Sequence, residues 1–198
     1  AAVGTKIFFA PQFQDDVGVL DTTTSTFSTL SVGSLTADFK YGGAAAVGTS
    51  VFFAPNNEDN VGVLDTTTNS FTTIDITIDM TGSWYKYSGA VAVGTSVFFV
   101  PWEQDDVGVL DTTTNSFTTI GTTASGVTAW PLYIGAVAVG TKIFFAPHNE
   151  DNVGVLDTTT NSFTTICDTT ASGVNNDYKY RGTVAVGTKI FFAPCDED

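Results

Sequence analysis

The fourteen residues VGVLDTTTNSFTTI occur unchanged at positions 61–74, 107–120 and 153–166, and a relaxed copy, VGVLDTTTSTFSTL, occupies 17–30. Copies this close must fold into the same unit, and the units must bury their apolar surfaces against one another. Aligned on the glycine of each Val-Gly-Thr triplet, the repeats fall at Gly4, Gly48, Gly94, Gly140 and Gly187, in steps of 44, 46, 46 and 47 residues. The chain of 198 residues therefore holds four full repeats and the opening of a fifth, with repeats starting near 1, 45, 91, 137 and 184. A period in the forties without a helical pattern points to an all-β fold, a β-propeller of four-stranded antiparallel blades. Residues 1–198 are expected to form a single propeller domain, and the repeat count predicts five blades.

Within one repeat the strands are short, rich in Val, Ile, Phe and Thr, and bounded by Gly, Pro, Asn or Asp. The third repeat reads as strands at 90–94, 95–101, 107–112 and 116–120. In the second of these, Val97 and Phe99 point to one face and Phe98 to the other. Both faces are thus apolar, and both must be covered, as they are when blades pack face to face around an axis. Pro11, Pro55, Pro101, Pro147 and Pro194 each end a second strand, where the missing N–H costs the ladder least. Asp21, Asp65, Asp111 and Asp157 open the turn between strands three and four. Their carboxylates, with the threonines that follow, can bond nearby backbone N–H groups and hold a tight hairpin. They read as structural.

The segments KIFFAP and VGVLDTTTNSFTTI resemble kelch and YVTN-type propeller repeats, in which an apolar strand precedes a V-x-V-x-D-x-x-T-N-x-aromatic segment. They also resemble tandem-repeat propellers predicted in unicellular algae. The resemblance extends over nearly the whole chain and implies fold, with no ligand attached.

The opening AAVGTKIFFA has neither an initiator Met nor a signal-peptide pattern, and reads as a mature product or a fragment. Five blades need more residues than the chain has, so the fifth blade reads as short, as part of a longer chain, or as completed by another subunit. Cys167 follows the last fourth strand and Cys195 follows Pro194. A disulfide between them would close a loop of about 28 residues and contribute about 3 kcal/mol. That pairing is expected, and with it an oxidising, secreted or lumenal compartment.

Variation concentrates in the connections between strands two and three (QFQDD, NNEDN, WEQDD, HNEDN) and between strand four and the next blade. Both kinds emerge on one face of a propeller, where function borne on loops is expected. Fourteen of the sixteen Phe belong to the repeat framework, as do Tyr41, Tyr87, Tyr133 and Tyr180, each seven residues before the repeat glycine. The aromatic residues left over are Phe13, Phe39, Trp84, Tyr85, Trp102, Trp130 and Tyr178, all in variable loops. With His148, they are the candidates for binding a protein partner or a sugar.

Asp15, Asp59, Asp105 and Asp151 recur four residues after each proline as an acidic loop ring. Calcium needs six to eight oxygens at about 2.3–2.6 Å, and loops on separate blades cannot converge that far, so no metal site is expected. The formal charge of −14, from 7 basic and 21 acidic residues, argues against nucleic acid or an anionic membrane as partner. No apolar run approaches the length of a membrane span.

The lone His148, with no nucleophile elbow, zinc motif or phosphate loop, predicts neither catalysis nor a cofactor. Two readings remain open, with a glycan-acting enzyme as a remote third. The first is a protein-binding scaffold, an accessory subunit of a larger assembly. The second is a lectin with sites on or between blades. Because the framework repeats while the aromatic rim changes, one unique partner is the better expectation.

Overall fold

The computed structural model describes residues 1–76, 84–127 and 131–196. Each repeat forms one antiparallel sheet in simple up-and-down order. The first contains β1 (Ala2–Val3), β2 (Lys6–Phe9), β3 (Asp16–Asp21) and β4 (Thr26–Ser31). The second contains β5 (Tyr41–Val47), β6 (Ser50–Pro55), β7 (Asn60–Asp65) and β8 (Ser70–Asp75). The third is β9 (Tyr87–Val93), β10 (Ser96–Pro101), β11 (Asp106–Asp111) and β12 (Ser116–Gly121). The fourth is β13 (Tyr133–Val139), β14 (Lys142–Pro147), β15 (Asn152–Asp157) and β16 (Ser162–Asp168). The fifth has two strands, β17 (Tyr180–Val186) and β18 (Lys189–Pro194).

These sheets are propeller blades. Their first strands lie innermost and pack on one another in chain order, β5 on β9, β9 on β13 and β13 on β17. The first strands begin earlier than the sequence pattern indicated. In the third blade, Tyr87 pairs with Pro101 across a bulge and carries the ladder to the loop face.

Burial follows the two-faced pattern of the second strands. Val97 and Phe99 enter the core shared with the second blade, whereas Phe98 and Val100 enter the core shared with the fourth. Three of the four framework tyrosines are core: Tyr41, Tyr87 and Tyr133 are fully buried, whereas Tyr180 is half-buried. Each of the buried three lies against the phenylalanines of strands two and four of its own blade, as Tyr87 does with Phe99 and Phe117 at centroid distances of 5.7 and 6.4 Å. The Tyr41 hydroxyl donates to Asn60 Oδ1 at 2.6 Å, and burial raises the phenol's pKa above the usual tyrosine value.

The ring is not closed by the five sheets. The outer face of the first blade and the outer face of the fifth are both exposed, at Phe9 and Phe27 on one and at Val184 and Phe191 on the other. Five repeats therefore build an arc of blades, and the expectation of a five-bladed ring does not follow from the repeat count.

Candidate functional site

The loops on the variable face bring four of the candidate aromatic residues into one row. Phe13 and Phe39 meet edge to face at 4.4 Å, Phe39 and Tyr85 at 5.3 Å, and Tyr85 lies 6.3 Å from Trp102. The row crosses from the first blade to the third, joining strand 2–3 connections to strand 4–1 connections, and so places both kinds on one face. Trp84 is exposed beside it. Together with Ala37, Asp38, Phe39, Asn57 and Tyr85 it lines a hollow of about 480 Å³. His148 and Tyr178 form a separate edge-to-face contact at 5.0 Å. Trp130 lies outside the described residues.

Three of these rings sit on strained backbone. Phe39, Tyr85 and Tyr178 have φ of 56°, 53° and 61°, a conformation that costs a residue other than glycine about 1–2 kcal/mol. What holds them is a shared motif, aromatic-Lys-Tyr, at 39–41, 85–87 and 178–180. An asparagine of the preceding blade accepts the aromatic residue's N–H: Asn57 Oδ1 from Tyr85 at 3.0 Å, and Asn149 Oδ1 from Tyr178 at 3.2 Å.

The lysine in the middle of the motif turns inward. Lys40, Lys86 and Lys179 are all buried, and each reaches back to the preceding blade's loop aspartate: Asp15 at 3.3 Å, Asp59 at 2.9 Å and Asp151 at 3.1 Å. Backbone carbonyls also accept from each ammonium: Ala37 from Lys40 at 2.7 Å, Asn149 from Lys179 at 3.1 Å, and both Asn57 and Glu58 from Lys86 at 3.3 Å. Three members of the acidic loop ring are thus tied to lysines and act between blades. In the fourth repeat Leu132 takes the lysine's place and is fully buried. Sequence reasoning passed over these lysines. Their signal was available, because three of the chain's seven basic residues stand immediately before the framework tyrosines.

A backbone ladder links the same positions around the inner edge. The N–H of Lys40 donates to Gln12, Asn56 to Lys40, Lys86 to Asn56 and Trp102 to Lys86. Leu132 then donates to Trp102, His148 to Leu132, Lys179 to His148 and Cys195 to Lys179, all at 2.8–3.1 Å. The variable residue after each proline therefore lies on the inner side of the face. Side chains there continue the link to the next blade: Asn56 Nδ2 donates to the Tyr87 carbonyl at 3.1 Å, and His148 Nδ1 lies 3.2 Å from the Tyr180 carbonyl. Burial depresses the His148 pKa, and because a carbonyl oxygen can only accept, Nδ1 carries the donated proton.

Inside this ladder a cavity of about 220 Å³ is lined by Gln12, Gly42, Ser88, Trp102, Ile134 and Arg181, with every blade contributing. Gly42, Ser88, Ile134 and Arg181 are the variable residue of a repeated Tyr-x-Gly motif. The glycine of that motif lets first strands touch: a Cβ on Gly43 would lie 2.9 Å from the Gly89 Cα. These inner positions were also missed, since their variation is a single residue between two constant ones.

The expected disulfide is absent: Cys167 and Cys195 are both free and exposed. Cys195 belongs to the inner ladder, whereas Cys167 lies on β16, the outermost strand of its blade. Both residues sit at strand ends, but their radial positions differ, and sequence spacing does not encode that. The inference of an oxidising compartment falls with the bond. Asp106 is half-buried, and burial followed by the charge of Asp105 raises its pKa, against the Tyr87 hydroxyl that donates to it at 3.2 Å.

No protein-family model matches the chain, and no curated protein matches it. Solved β-propellers do. A selenomethionine-substituted virginiamycin B lyase from Staphylococcus aureus aligns over 96% of this chain with a TM-score of 0.67 and 17% identity. The chain spans 60% of that lyase's length. A structure of a nidogen/laminin complex aligns over 97% of this chain and 68% of its own, with a TM-score of 0.70 and 9% identity. The hydrazine synthase of Kuenenia stuttgartiensis aligns over 91% of this chain and 48% of its own, at 0.62 and 14%.

At such identities the likeness establishes the repeat-propeller fold, and it does not single out kelch among repeat types. It does correct one expectation. The sequence pointed to a protein without catalysis, yet an enzyme, the lyase, stands among the matching folds. Propeller architecture therefore does not exclude an active site, and the lack of familiar catalytic motifs cannot carry that exclusion.

Proposed function

We propose that residues 1–198 act as one propeller domain, a binding module that engages a protein partner through the variable loop face as an accessory subunit of a larger assembly. The observation that carries this reading is the row Phe13–Phe39–Tyr85–Trp102, in which rings from three blades stand in contact and two are held on left-handed backbone. Rigid aromatic residues presented this way lose little entropy on binding, which is why such rings dominate interfaces. A structural relative present in a nidogen/laminin complex is in keeping with a propeller used for protein contact.

A second reading, sugar binding, draws on a specific repetition. Phe39, Tyr85 and Tyr178 recur at equivalent positions, and asparagines flank the latter two.

The test combines Phe39→Ala, Tyr85→Ala and Trp102→Ala. The triple variant should lose at least about 100-fold in affinity for the protein that copurifies with this chain from its source, while its thermal midpoint stays within a few degrees of the parent. Signals on a glycan array that vanish in the same variant would favour the sugar reading. Unchanged binding on both would defeat the use of this face.

A further inference from the structure

The hollow over the second blade is built around a corner of aromatic rings. Phe39 and Tyr85 stand at 79° to each other with centroids 5.3 Å apart, so the two rings meet as walls. Trp84, 70% exposed, adds a third ring to a lining that encloses about 480 Å³. Asn57 clamps the two loops that carry these rings. Its Oδ1 accepts the Tyr85 N–H at 3.0 Å, and its Nδ2 donates to the Asp38 carbonyl at 3.3 Å. All of these residues lie on connections within or between complete four-stranded sheets.

The same lining holds one charge. Asp38 is exposed, and among the described residues its carboxylate has neither a hydrogen bond nor an ion pair. The cations nearest to it along these loops, Lys40 and Lys86, are buried and bonded to Asp15 and Asp59. Ring faces carry the negative part of the aromatic quadrupole, so rings and carboxylate together attract a cation and repel an anion. The net charge of −14 extends that preference to long range. A sugar stacks best on one flat ring, whereas a corner of rings beside a carboxylate surrounds a compact planar cation.

We infer that the hollow receives an arginine side chain of the protein partner, its guanidinium lying on a ring face and its N–H fork on the Asp38 carboxylate. Arginine suits the site better than lysine, because its planar head makes both contacts at once. The inference rests on the partner-binding reading of this face and specifies what the partner presents.

The test uses the 198-residue chain and the probe acetyl-Gly-Arg-Gly-amide, compared with the same peptide carrying lysine or citrulline, the neutral isostere of arginine. Binding is followed by NMR at the Trp84 indole N–H, assigned through its loss in Trp84→Ala. The arginine peptide should shift that signal saturably, with the lysine peptide weaker and the citrulline peptide at least about fivefold weaker. Asp38→Asn should weaken the arginine peptide about five- to tenfold and leave the citrulline peptide unaffected, and added salt should act in the same direction. Asp38 and Trp84 are both exposed, so both variants should keep the parent's thermal midpoint. No shift with the arginine peptide, equal binding of either comparison peptide, or full binding by Asp38→Asn overturns the inference. A signal moved by methyl glycosides and not by the arginine peptide overturns it in favour of a sugar. The copurifying protein separates this failure from that of the wider reading. If the Phe39, Tyr85 and Trp102 triple variant loses that protein while Asp38→Asn keeps it in full, the face stands and the arginine falls. If both keep it, the face itself falls.

Discussion

Gly108 sits at the midpoint of β11, in extended backbone, where a β-branched residue would ordinarily be preferred. Its reason is packing. A Cβ there would lie 2.8 Å from both the Tyr87 and Phe117 rings, which are buried and cannot withdraw. Gly62 and Gly154 are enclosed in the same way by Tyr41 with Phe71 and by Tyr133 with Phe163. Gly108→Ala should therefore destabilise the protein by about 1–3 kcal/mol, measured by chemical denaturation. Gly18→Ala should cost clearly less. Its Cβ would meet only the tip of Phe27, an exposed ring that can swing aside, and the Phe9 Cβ at 3.4 Å. Equal costs would show that the tyrosine is not what excludes the side chain. The tyrosines were legible in the sequence through their fixed distance from the repeat glycine. The glycine's role was not, because it depends on two rings that approach from strands on either side.

The hairpin between the third and fourth strands is the most local element, and it was read correctly from its residues. Asp111 Oδ1 accepts the Thr113 N–H at 2.8 Å and its hydroxyl at 2.6 Å, while Asn115 takes the left-handed conformation that closes the turn. The same bonds recur at Asp21, Asp65 and Asp157. The threonine hydroxyl, then its N–H, holds each carboxyl below the usual aspartate range, down to about 2 for Asp157, where Lys142 adds its charge. A carboxyl whose pKa is depressed on folding stabilises the fold above its unfolded pKa, and the contribution is lost as pH falls through the folded value. The thermal midpoint should thus drop as pH falls from about 4 towards 2. Replacing Asp21, Asp65, Asp111 and Asp157 together by Asn should flatten that part of the profile and leave the shape above pH 5 unchanged. A parent profile that the replacement does not alter would remove the turns from the acid response.

At the scale of the whole molecule, blades are joined by apolar faces and by lysines that cross from one repeat to the preceding one. Lys86 is fully buried between Asp59 and two carbonyls, so truncation leaves those oxygens without their donor. Because Asp59 is half-exposed and can rehydrate, Lys86→Ala should cost about 1–2 kcal/mol in denaturant unfolding, less than a wholly buried pair would. Lys86→Leu should recover part of the loss, since Leu132 fills the equivalent slot in the fourth repeat. If Leu is no better than Ala, the stem's packing contributes nothing and the charge is the whole effect. By itself, the sequence determined the unit: strand pattern, two apolar faces, framework tyrosines and the Asp-Thr-Thr-Thr turn all rest on local bonds or on a period of two. Only the tertiary structure decided which variable residues meet. The aromatic row, the lysine–aspartate links, the inner ladder and the separation of Cys167 from Cys195 depend on how far each blade is rotated from the last. That rotation arises from the fit of whole faces, so it appears in no spacing along the chain.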